Sequence, residues 1–431
     1  MDTSEFAGNA RFESKLKWWA LVTLGAAIFS DALQFLLTGN TAVKGYIPST
    51  SIEDILYFFG AFFGIPCVLL IIGGVRSSLD NRVAAISIFF GVVLYYVGRE
   101  FFDVMTNTFA VAIICIVLGP LGILGIFELI LGYAKKSENI NSKEWRVLFV
   151  WLTLLLASLS VATQSGLYNN RILLPITWDY HAYRIDGAYG DIASQIYVFY
   201  DQLPYYFKSL TLTVYSVLVL SFYCLIGLAI RKRGLIKLDI FRILIIPFFV
   251  AFLLYVIVPV SGPVYAFFSG EFPHRLPSRD TVAAMPVVIP PAFRNGMPSM
   301  HLTGAILVWM LSMTFRNRIA IVSSVLLVLG TMWATLALGE HYIVDLFVAI
   351  PFAAFLGSFL IFPEIAKFEA SRSWSFWACG FCFLIWIVLI RFFPVWLSNN
   401  HIITLGLSLT GLFLATAAFK SCFAIARWST E

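Results

Sequence analysis

Two histidine motifs contain the residue types and spacings that could do chemistry in this chain. One reads Pro-Ser-Met-His and ends at His301, and the other runs from His341 to Asp345. His341 and Asp345 are four residues apart, so on a helix they share one face. A carboxylate beside one ring nitrogen fixes the tautomer of an imidazole and leaves the other nitrogen free to act as a nucleophile or base.

The first motif adds groups that could bind an anion. It supplies a second imidazole, the hydroxyl of Ser299 and the nearby cation Arg294. A helix that starts after Pro298 would also present free backbone N–H groups, which favour an anion. A nucleophile, an acid/base partner and anion-binding groups together indicate phosphoryl transfer.

Other readings of these residues remain open. A histidine at a membrane interface can simply extend its polar end toward water. A histidine and an aspartate four apart can stabilise a helix, or they can ligate a metal together with His274, His301 or Asp280. Because the ligand set is sparse, we expect no metal and no cofactor.

The composition indicates that membrane-spanning helices position these residues. Of the 431 residues, 60% are hydrophobic and only 12% are charged. A soluble chain carries about 25% charged residues, so this composition excludes a soluble globular protein. It also excludes a disordered chain. Twelve apolar stretches are long enough to cross a membrane, which takes about 20 residues each. We therefore predict an all-α polytopic membrane protein of about 12 helices.

The cations predict the orientation of those helices. With 12 spans, 20 of the 29 lysines and arginines fall on the side that carries both termini. The positive-inside rule makes that side the cytoplasm. Both histidine motifs then lie at the opposite, extracytoplasmic face. The net charge of +5 is explained by this sidedness, and we expect no nucleic-acid partner.

Two long outer segments are predicted to flank the site. Residues 166–208 contain His181 and Arg184 and end in an amphipathic run that we expect to form a short interfacial helix. Residues 262–299 are rich in proline, which stiffens a loop and prevents a regular helix. This second segment also contains Arg275 and Arg279.

The two motifs resemble the second and third signatures of the type 2 phosphatidic acid phosphatase superfamily. Three strings look most like the inositol phosphorylceramide synthase branch and its bacterial relatives. They are Trp333-Ala334-Thr335, the sequence from His341 to Leu346, and Gly262-Pro263-Val264-Tyr265. The resemblance covers roughly residues 165–362. It implies a six-helix catalytic core within the predicted bundle.

The resemblance also implies roles for individual residues. His341 attacks the phosphorus and forms a phosphohistidine, and Asp345 orients His341. His301 protonates the leaving oxygen and then deprotonates the acceptor. Ser299 and nearby arginines bind the phosphoryl oxygens. We expect the acceptor pocket to involve four further residues: Tyr265, Tyr342, His181 and Arg184.

The chain departs from the phosphatase pattern at its phosphate-binding cations. The first signature, with its lysine and Arg-Pro pair, is absent before Gly262. The Ser-Arg pair that usually precedes the third signature is replaced by Ala334 and Thr335. The available replacements are three arginines in the proline-rich segment: Arg294, Arg279 and Arg275.

The leading hypothesis is a phosphotransferase that moves a phospho-headgroup or phosphoryl group from a lipid donor to a lipid or sugar-alcohol acceptor. A lipid phosphate phosphatase, with water as acceptor, is the alternative, and a 12-span transporter is a remote one. We predict an N-terminal four-helix membrane region of unknown role (1–146), the catalytic core (147–362) and a C-terminal two-helix region (363–431). The chain has no Asn-x-Ser/Thr sequon, which favours a bacterial inner membrane with the site in the periplasm over a Golgi enzyme.

Overall fold

The structure is a computed structural model of the full chain. It describes the residues in ten ranges: 3–41, 63–72, 119–134, 140–231, 239–267, 272–289, 292, 294–315, 318–361 and 370–428.

Helices make up most of the described residues, as predicted. In chain order they are α1 Thr3–Thr38, α2 Ile65–Ile72, α3 Gly119–Ala134, α4 Ile140–Leu173, α5 Asp179–Ile185, α6 Ile192–Gln202, α7 Tyr205–Arg231, α8 Ile240–Ile257, α9 Pro263–Ala266, α10 Met300–Phe315, α11 Arg318–Ala337, α12 Ile343–Ile361, α13 Ala370–Phe392, α14 Pro394–Asn399 and α15 His401–Trp428. A 3-10 helix, Asp186–Tyr189, follows α5.

The helices are long and apolar enough to make this an integral membrane protein. Seven of the described helices qualify as membrane spans by length and hydropathy, and α10 is a shorter apolar helix. Large apolar side chains on α11 and α13, such as Ile319, Leu326 and Phe381, are exposed, as lipid contact requires. The predicted number of 12 spans is not established by this count, and the predicted third span, 83–98, lies outside the described residues.

Backbone packing divides the chain into two compact units. One comprises Met1–Asn169 and Val219–Phe241, and the other comprises Asn170–Leu218 and Arg242–Glu431. The second unit contains both histidine motifs. Its core is built around α12, the most deeply buried of the candidate spans, which packs against α10, α13 and α15.

The two outer segments fold largely as the sequence predicts. The first contains α5, the 3-10 helix and α6, so the expected short helix is present within residues 166–208. The second is mostly irregular, with a single helical turn at α9. Two short strands, β1 (Ile176–Thr177) and β2 (Val287–Val288), join the segments as an antiparallel pair. Within the described part of residues 262–299, the predicted absence of regular helix was wrong at α9, which starts at a proline, as helices often do.

Candidate active site

The first motif lies at the start of α10. Ser299 is fully buried, and its hydroxyl accepts a hydrogen bond from the backbone N–H of Leu302 at 3.4 Å. Its carbonyl accepts the N–H of Thr303 at 3.0 Å. This is the geometry of a helix N-cap. Ser299 thus begins the helix and places His301 in its first turn.

The second motif is delivered by the turn that ends α11. The N–H of Glu340 bonds to the carbonyl of Thr335 at 3.1 Å, and the N–H of Gly339 bonds to that of Leu336 at 2.8 Å. Gly339 has φ of 70°, and these two bonds form the Schellman motif that commonly closes a helix. An added Cβ at Gly339 would lie 2.4 Å from the ring of Phe272, so only glycine fits.

The start of α12 is fixed by two carboxylates. Asp345 reaches back to accept the N–H of Tyr342 at 2.9 Å, which is one half of a capping box. Asp186, from the 3-10 helix, accepts the N–H groups of Ile343 and Val344, both at 2.9 Å. Sequence reasoning placed Asp186 in the outer segment but gave it no role.

The tautomer of His341 follows from its hydrogen bonds. Its Nδ1 lies 2.9 Å from the carbonyl oxygen of Gly296 and 3.4 Å from Oδ2 of Asp345. A carbonyl oxygen can only accept, so Nδ1 carries the proton and Nε2 holds a lone pair. Burial lowers the pKa of His341 to about 4, against smaller opposing effects of Glu340 and Gly296. The ring is therefore neutral near pH 7 and has a free Nε2.

Gly296 is the partner of His341 that sequence reasoning missed. Its N–H donates to the carbonyl of Val260 at 2.7 Å. A Cβ added at Gly296 would lie 2.9 Å from that same carbonyl oxygen. The absence of a side chain lets the 294–299 segment lie against the end of α8 and turn its carbonyl toward His341. A glycine five residues before a histidine was the only signal in the sequence.

His301 faces His341 across a short gap. The two ring centroids are 6.0 Å apart, with an interplanar angle of 66°. The hydroxyl of Tyr215, on α7, lies 3.1 Å from Nδ1 of His301. A tyrosine hydroxyl can donate to this nitrogen or accept from it. When the hydroxyl oxygen accepts, it holds a proton on Nδ1 of His301 and leaves Nε2 as the nitrogen that gives and takes a proton.

A carboxylate adjoins His341. Glu340 directly precedes His341, is half-buried, and accepts the hydroxyl of Tyr265 at 3.0 and 3.1 Å through its two oxygens. Burial raises the pKa of Glu340, and the neighbouring His341 and the Tyr265 hydroxyl act in the opposite direction. Tyr265 was predicted as a pocket residue, whereas Glu340 was not predicted.

Arg294 donates its hydrogen bonds to surrounding loop segments. It is buried, and Nε bonds to the carbonyl of Leu174 at 3.0 Å, while Nη1 bonds to the Ser261 hydroxyl and the Ala292 carbonyl at 3.0 and 2.8 Å. Nη2 donates to the carbonyls of Pro175 and Ile289 at 3.3 and 3.5 Å. These five bonds use all five guanidinium donors. No donor is left for a phosphate, so we leave Arg294 out of the proposed phosphate site.

The other predicted cations are also not gathered at the histidines. Arg275 is exposed, and Arg279 donates to the Gly190 carbonyl and to Asp191 at 2.6 and 3.0 Å. Thr335, in the position of a superfamily arginine, turns its hydroxyl back to the carbonyl of Thr331 at 2.8 Å. Among the described residues, no lysine or arginine contacts His301 or His341. The predictions for Arg275 and Arg279 as phosphate ligands remain untested.

The remaining predicted pocket residues have separate positions. Tyr342 is fully buried and donates to Asp179 at 3.1 Å. Asp179 also accepts the N–H groups of Ser261 and Gly262. It therefore ties the start of α5 to the turn before α9.

His181 and Arg184 lie on α5, and neither contacts His301 or His341. His181 is buried, its ring centroid is 4.9 Å from that of Trp178, and burial lowers its pKa to about 4. Arg184 donates to the Val282 carbonyl and to Asn399, both at 3.1 Å.

Within the ranges that the structure describes, no group of three or more histidine, cysteine, aspartate or glutamate side chains could hold a metal ion. The described residues at this site supply two imidazoles, the carboxyl groups of Asp345 and Glu340, and backbone N–H groups.

Comparison with known families agrees with the histidine signatures. Residues 191–360 match the family model of the PAP2 superfamily. The matched segment contains His301, His341 and Asp345, and it supports a membrane phosphatase or phosphotransferase type of function. Comparison with curated proteins and with solved structures gave no match.

Proposed function

We propose that this chain is a membrane phosphotransferase that takes a phospho-headgroup from a phosphodiester lipid and passes it to a hydroxyl acceptor through a phosphohistidine. His341, His301 and Asp345 are the proposed catalytic residues, within the core 147–362. The proposal includes the synthase-like branch of the superfamily and an extracytoplasmic site in a bacterial inner membrane.

The first half-reaction forms the phosphohistidine. Nε2 of His341 attacks the phosphorus, and the bond from phosphorus to the lipid oxygen breaks. His301 gives that oxygen its proton. The carbonyl of Gly296, 2.9 Å from Nδ1, and the Asp345 carboxylate stabilise the positive charge that develops on the ring.

The second half-reaction transfers the phosphoryl group from His341 to the acceptor. His301, now unprotonated at Nε2, takes the proton of the acceptor hydroxyl. The acceptor oxygen bonds to phosphorus, and the bond from phosphorus to Nε2 of His341 breaks. Nδ1 of His301 keeps its proton in both half-reactions and donates it to the Tyr215 hydroxyl oxygen, so His301 alternates between imidazolium and neutral imidazole at Nε2 alone.

The phosphoryl oxygens would be bound by the start of α10. The N–H groups of Leu302 and Thr303 are used by Ser299, which leaves those of Met300 and His301 in the first turn to face an anion. The positive end of the helix dipole adds to their effect. Ser299 supports this arrangement as the cap of the helix.

The observation that carries the choice of donor is the charge at the histidines. A phosphomonoester is close to a dianion near pH 7, whereas a phosphodiester carries one negative charge. Here a carboxylate, Glu340, adjoins His341, and no described lysine or arginine contacts the histidines. Carboxylate and dianion repel each other, so this site favours the diester.

A phosphatase remains the second candidate, because the superfamily match is shared by both activities and the first half-reaction is the same. The experiment compares a phosphodiester lipid with phosphatidic acid in purified, lipid-reconstituted protein. We expect turnover of the diester and transfer of its headgroup phosphate to an alcohol. Inorganic phosphate as the sole product would refute the transferase.

A variant tests the charge argument directly. Replacing Glu340→Gln removes the charge and keeps an acceptor for the Tyr265 hydroxyl. We expect the ratio of phosphatidic acid to diester turnover to rise about tenfold, the size of a change of 1.4 kcal/mol in relative transition-state binding. Glu13→Gln, the same substitution at a partly exposed carboxylate on α1, is the matched control. An unchanged ratio would show that Glu340 does not select the donor.

A further inference from the structure

The second unit contains a cavity that lies apart from the histidine pair. Its volume is about 780 Å³, within the range of about 300–1,000 Å³ that small-molecule sites have. Three segments line it: residues from α5 to α6, the 273–280 stretch, and the junction of α14 and α15. Neither His301 nor His341 is among the lining residues. A ligand held here is therefore bound outside the proposed catalytic site.

Arg279 brings unpaired donors to the wall of this cavity. Its Nη1 donates to the Gly190 carbonyl and to Asp191 at 2.6 and 3.0 Å. Its Nε and Nη2 are buried and have no hydrogen-bond partner among the residues that the structure describes. The N–H groups of Nε and Nη2 lie along one edge of the guanidinium and point in the same direction. Such an edge pairs with two oxygens of one carboxylate or phosphate group.

Buried donors of this kind require an acceptor. A guanidinium cannot be deprotonated in a protein, so it cannot lose its charge to relieve unpaired burial. The large majority of buried polar side-chain atoms have a hydrogen-bond partner. Because Arg279 lines the cavity, an acceptor that enters this space is placed to pair with both nitrogens. One oxyanion would satisfy the two donors together.

The charges around the cavity leave its inner side positive. Arg279 has 14% of its side chain exposed, and Arg184 is half-buried. The two lining carboxylates, Asp191 and Asp280, are both exposed. Water screens an exposed carboxylate, which then offsets a buried cation only weakly. Asp186 is a buried carboxyl group near Arg279, but burial raises its pKa to about 7, so it carries only part of a charge at neutral pH.

Gly187 leaves room beside the guanidinium. A Cβ added to it would lie 3.3 Å from Cδ of Arg279 and 3.4 Å from Nε2 of His401. These three residues therefore converge on one wall of the cavity. The hydroxyls of Ser194 and Ser278 line the same cavity, and hydroxyls and an imidazole can donate further hydrogen bonds. A phosphate group, with more than two oxygens, can use such donors in addition to the edge of Arg279, whereas a carboxylate has no oxygen left for them.

We propose that this cavity binds a phosphate group through the Nε and Nη2 edge of Arg279, as an accessory site separate from the catalytic histidines. The phosphate group belongs either to a free anion or to the headgroup of an anionic lipid. A lipid source is compatible with α6, which lines the cavity and exposes Ile192 and Phe199 as an interfacial helix does. Arg279 then acts at a second site and not on the transferred phosphoryl group, and the proposal does not depend on the transferase function.

The test measures occupancy at the cavity itself. Ser194 lies three residues after Asp191, the partner of Arg279, and Ser194→Cys places a thiol in the cavity wall. The full chain in phosphatidylcholine nanodiscs is treated with a maleimide, and the label on residue 194 is quantified by peptide mapping. We expect inorganic phosphate to slow this labelling about tenfold at a concentration of about nine times its Kd. Ile192→Cys, at an exposed position of the same helix that does not line the cavity, is the control and should be labelled at an unchanged rate.

A second change tests the paired donors of Arg279. Arg279→Lys keeps a positive charge but loses the planar edge with two N–H groups. In the Ser194→Cys background it should raise the Kd for phosphate at least about tenfold, the effect of losing one hydrogen bond to a charged group. Arg275→Lys, at an exposed arginine of the same stretch that does not line the cavity, should leave this Kd unchanged.

The lipid composition distinguishes the two sources of the phosphate group. Nanodiscs that contain phosphatidylglycerol should slow the labelling of Ser194→Cys without added phosphate when the ligand is a lipid headgroup. Slower labelling with inorganic phosphate alone, and no effect of phosphatidylglycerol, would identify a soluble anion. Both results support the site.

Three results would overturn the proposal. They are labelling of Ser194→Cys that neither phosphate nor phosphatidylglycerol slows, an equal effect of sodium chloride at the same ionic strength, and an unchanged Kd in folded Arg279→Lys. The comparison of Ser194→Cys with Ile192→Cys needs no change at Arg279, so it remains decisive when Arg279→Lys does not fold. Donor turnover is not part of the measurement, so failure of the proposed transferase would leave this result unaffected.

Discussion

At the scale of single residues, the proposed reaction depends on which nitrogen of His341 is free. The sequence predicted that Asp345 would orient the ring. The nearer acceptor in the structure is the carbonyl of Gly296, at 2.9 Å compared with 3.4 Å for Asp345. A backbone acceptor cannot be protonated, so the tautomer is held even where a carboxylate would lose its charge.

The pH dependence of the first half-reaction should reflect the lowered pKa of His341. Because that pKa is about 4, the ring is unprotonated and nucleophilic throughout the neutral range. We expect the acid limb of the rate of phosphohistidine formation, measured by rapid quench, to lie near pH 4. An acid limb near 6.5, the ordinary value for histidine, would contradict the buried environment assigned to the ring.

The same shift affects stability. The unfolded chain has the ordinary, higher histidine pKa, so between pH 6.5 and about 4 it binds a proton that the folded chain does not. This contribution to stability is therefore present above pH 6.5 and is lost as pH falls through that window. Rate measurements at low pH need a parallel check of folding by thermal unfolding.

Tyr215 should act by positioning His301. Tyr215→Phe removes the hydroxyl that lies 3.1 Å from Nδ1 and keeps the aromatic ring. We expect kcat to fall about tenfold, a fraction of the 10²–10⁴-fold effect of a general acid. The pH at which kcat changes should also move. A loss of stability with an unchanged pH profile would indicate a packing role alone.

At the scale of secondary structure, the start of α12 relies on a carboxylate from a distant segment. Asp186→Ala would leave the buried N–H groups of Ile343 and Val344 without their acceptor. Unfolding should become easier by about 1–3 kcal/mol. Asp280→Ala, at an exposed position, should change thermal stability little. Equal effects of the two changes would rule out the capping role.

Arg294 offers a contrast between framework and phosphate-binding roles. Lysine has three donors in place of five, so Arg294→Lys would leave at least two of its acceptors unpaired. We expect a clear fall in thermal stability and an unchanged KM for the donor in the protein that remains folded. A raised donor KM at full stability would restore Arg294 to the phosphate site.

These elements show what a sequence does and does not reveal. Hydropathy predicted the helices, because it depends on neighbours along the chain. The spacing of His341 and Asp345 predicted a shared helix face, but His341 lies in the turn before α12 and contacts Asp345 from there at 3.4 Å. Tyr215 is 86 residues from His301 in sequence, so their contact depends on how α7 and α10 pack. All five donors of Arg294 are hydrogen-bonded because of how a loop closes around it. The residue types near Arg294 in the sequence do not predict that closure.

At the scale of the whole molecule, the cations predict which side of the membrane carries the site. Single cysteines at Asp280 and Arg318 fall on opposite sides in this topology, and both positions are exposed. Membrane-impermeant maleimide applied to intact cells should label Asp280→Cys and spare Arg318→Cys. Labelling of Arg318→Cys alone would reverse the orientation.

The proposed intermediate is a covalent phosphohistidine at Nε2 of His341. The most direct measurement quenches the reconstituted enzyme during turnover of a ³²P-labelled phosphodiester lipid and maps the labelled peptide and ring nitrogen. We predict base-stable, acid-labile label on Nε2 of His341, discharged by an alcohol acceptor and absent from His341→Gln. Turnover without label on this residue, or label that persists in His341→Gln, would contradict the mechanism.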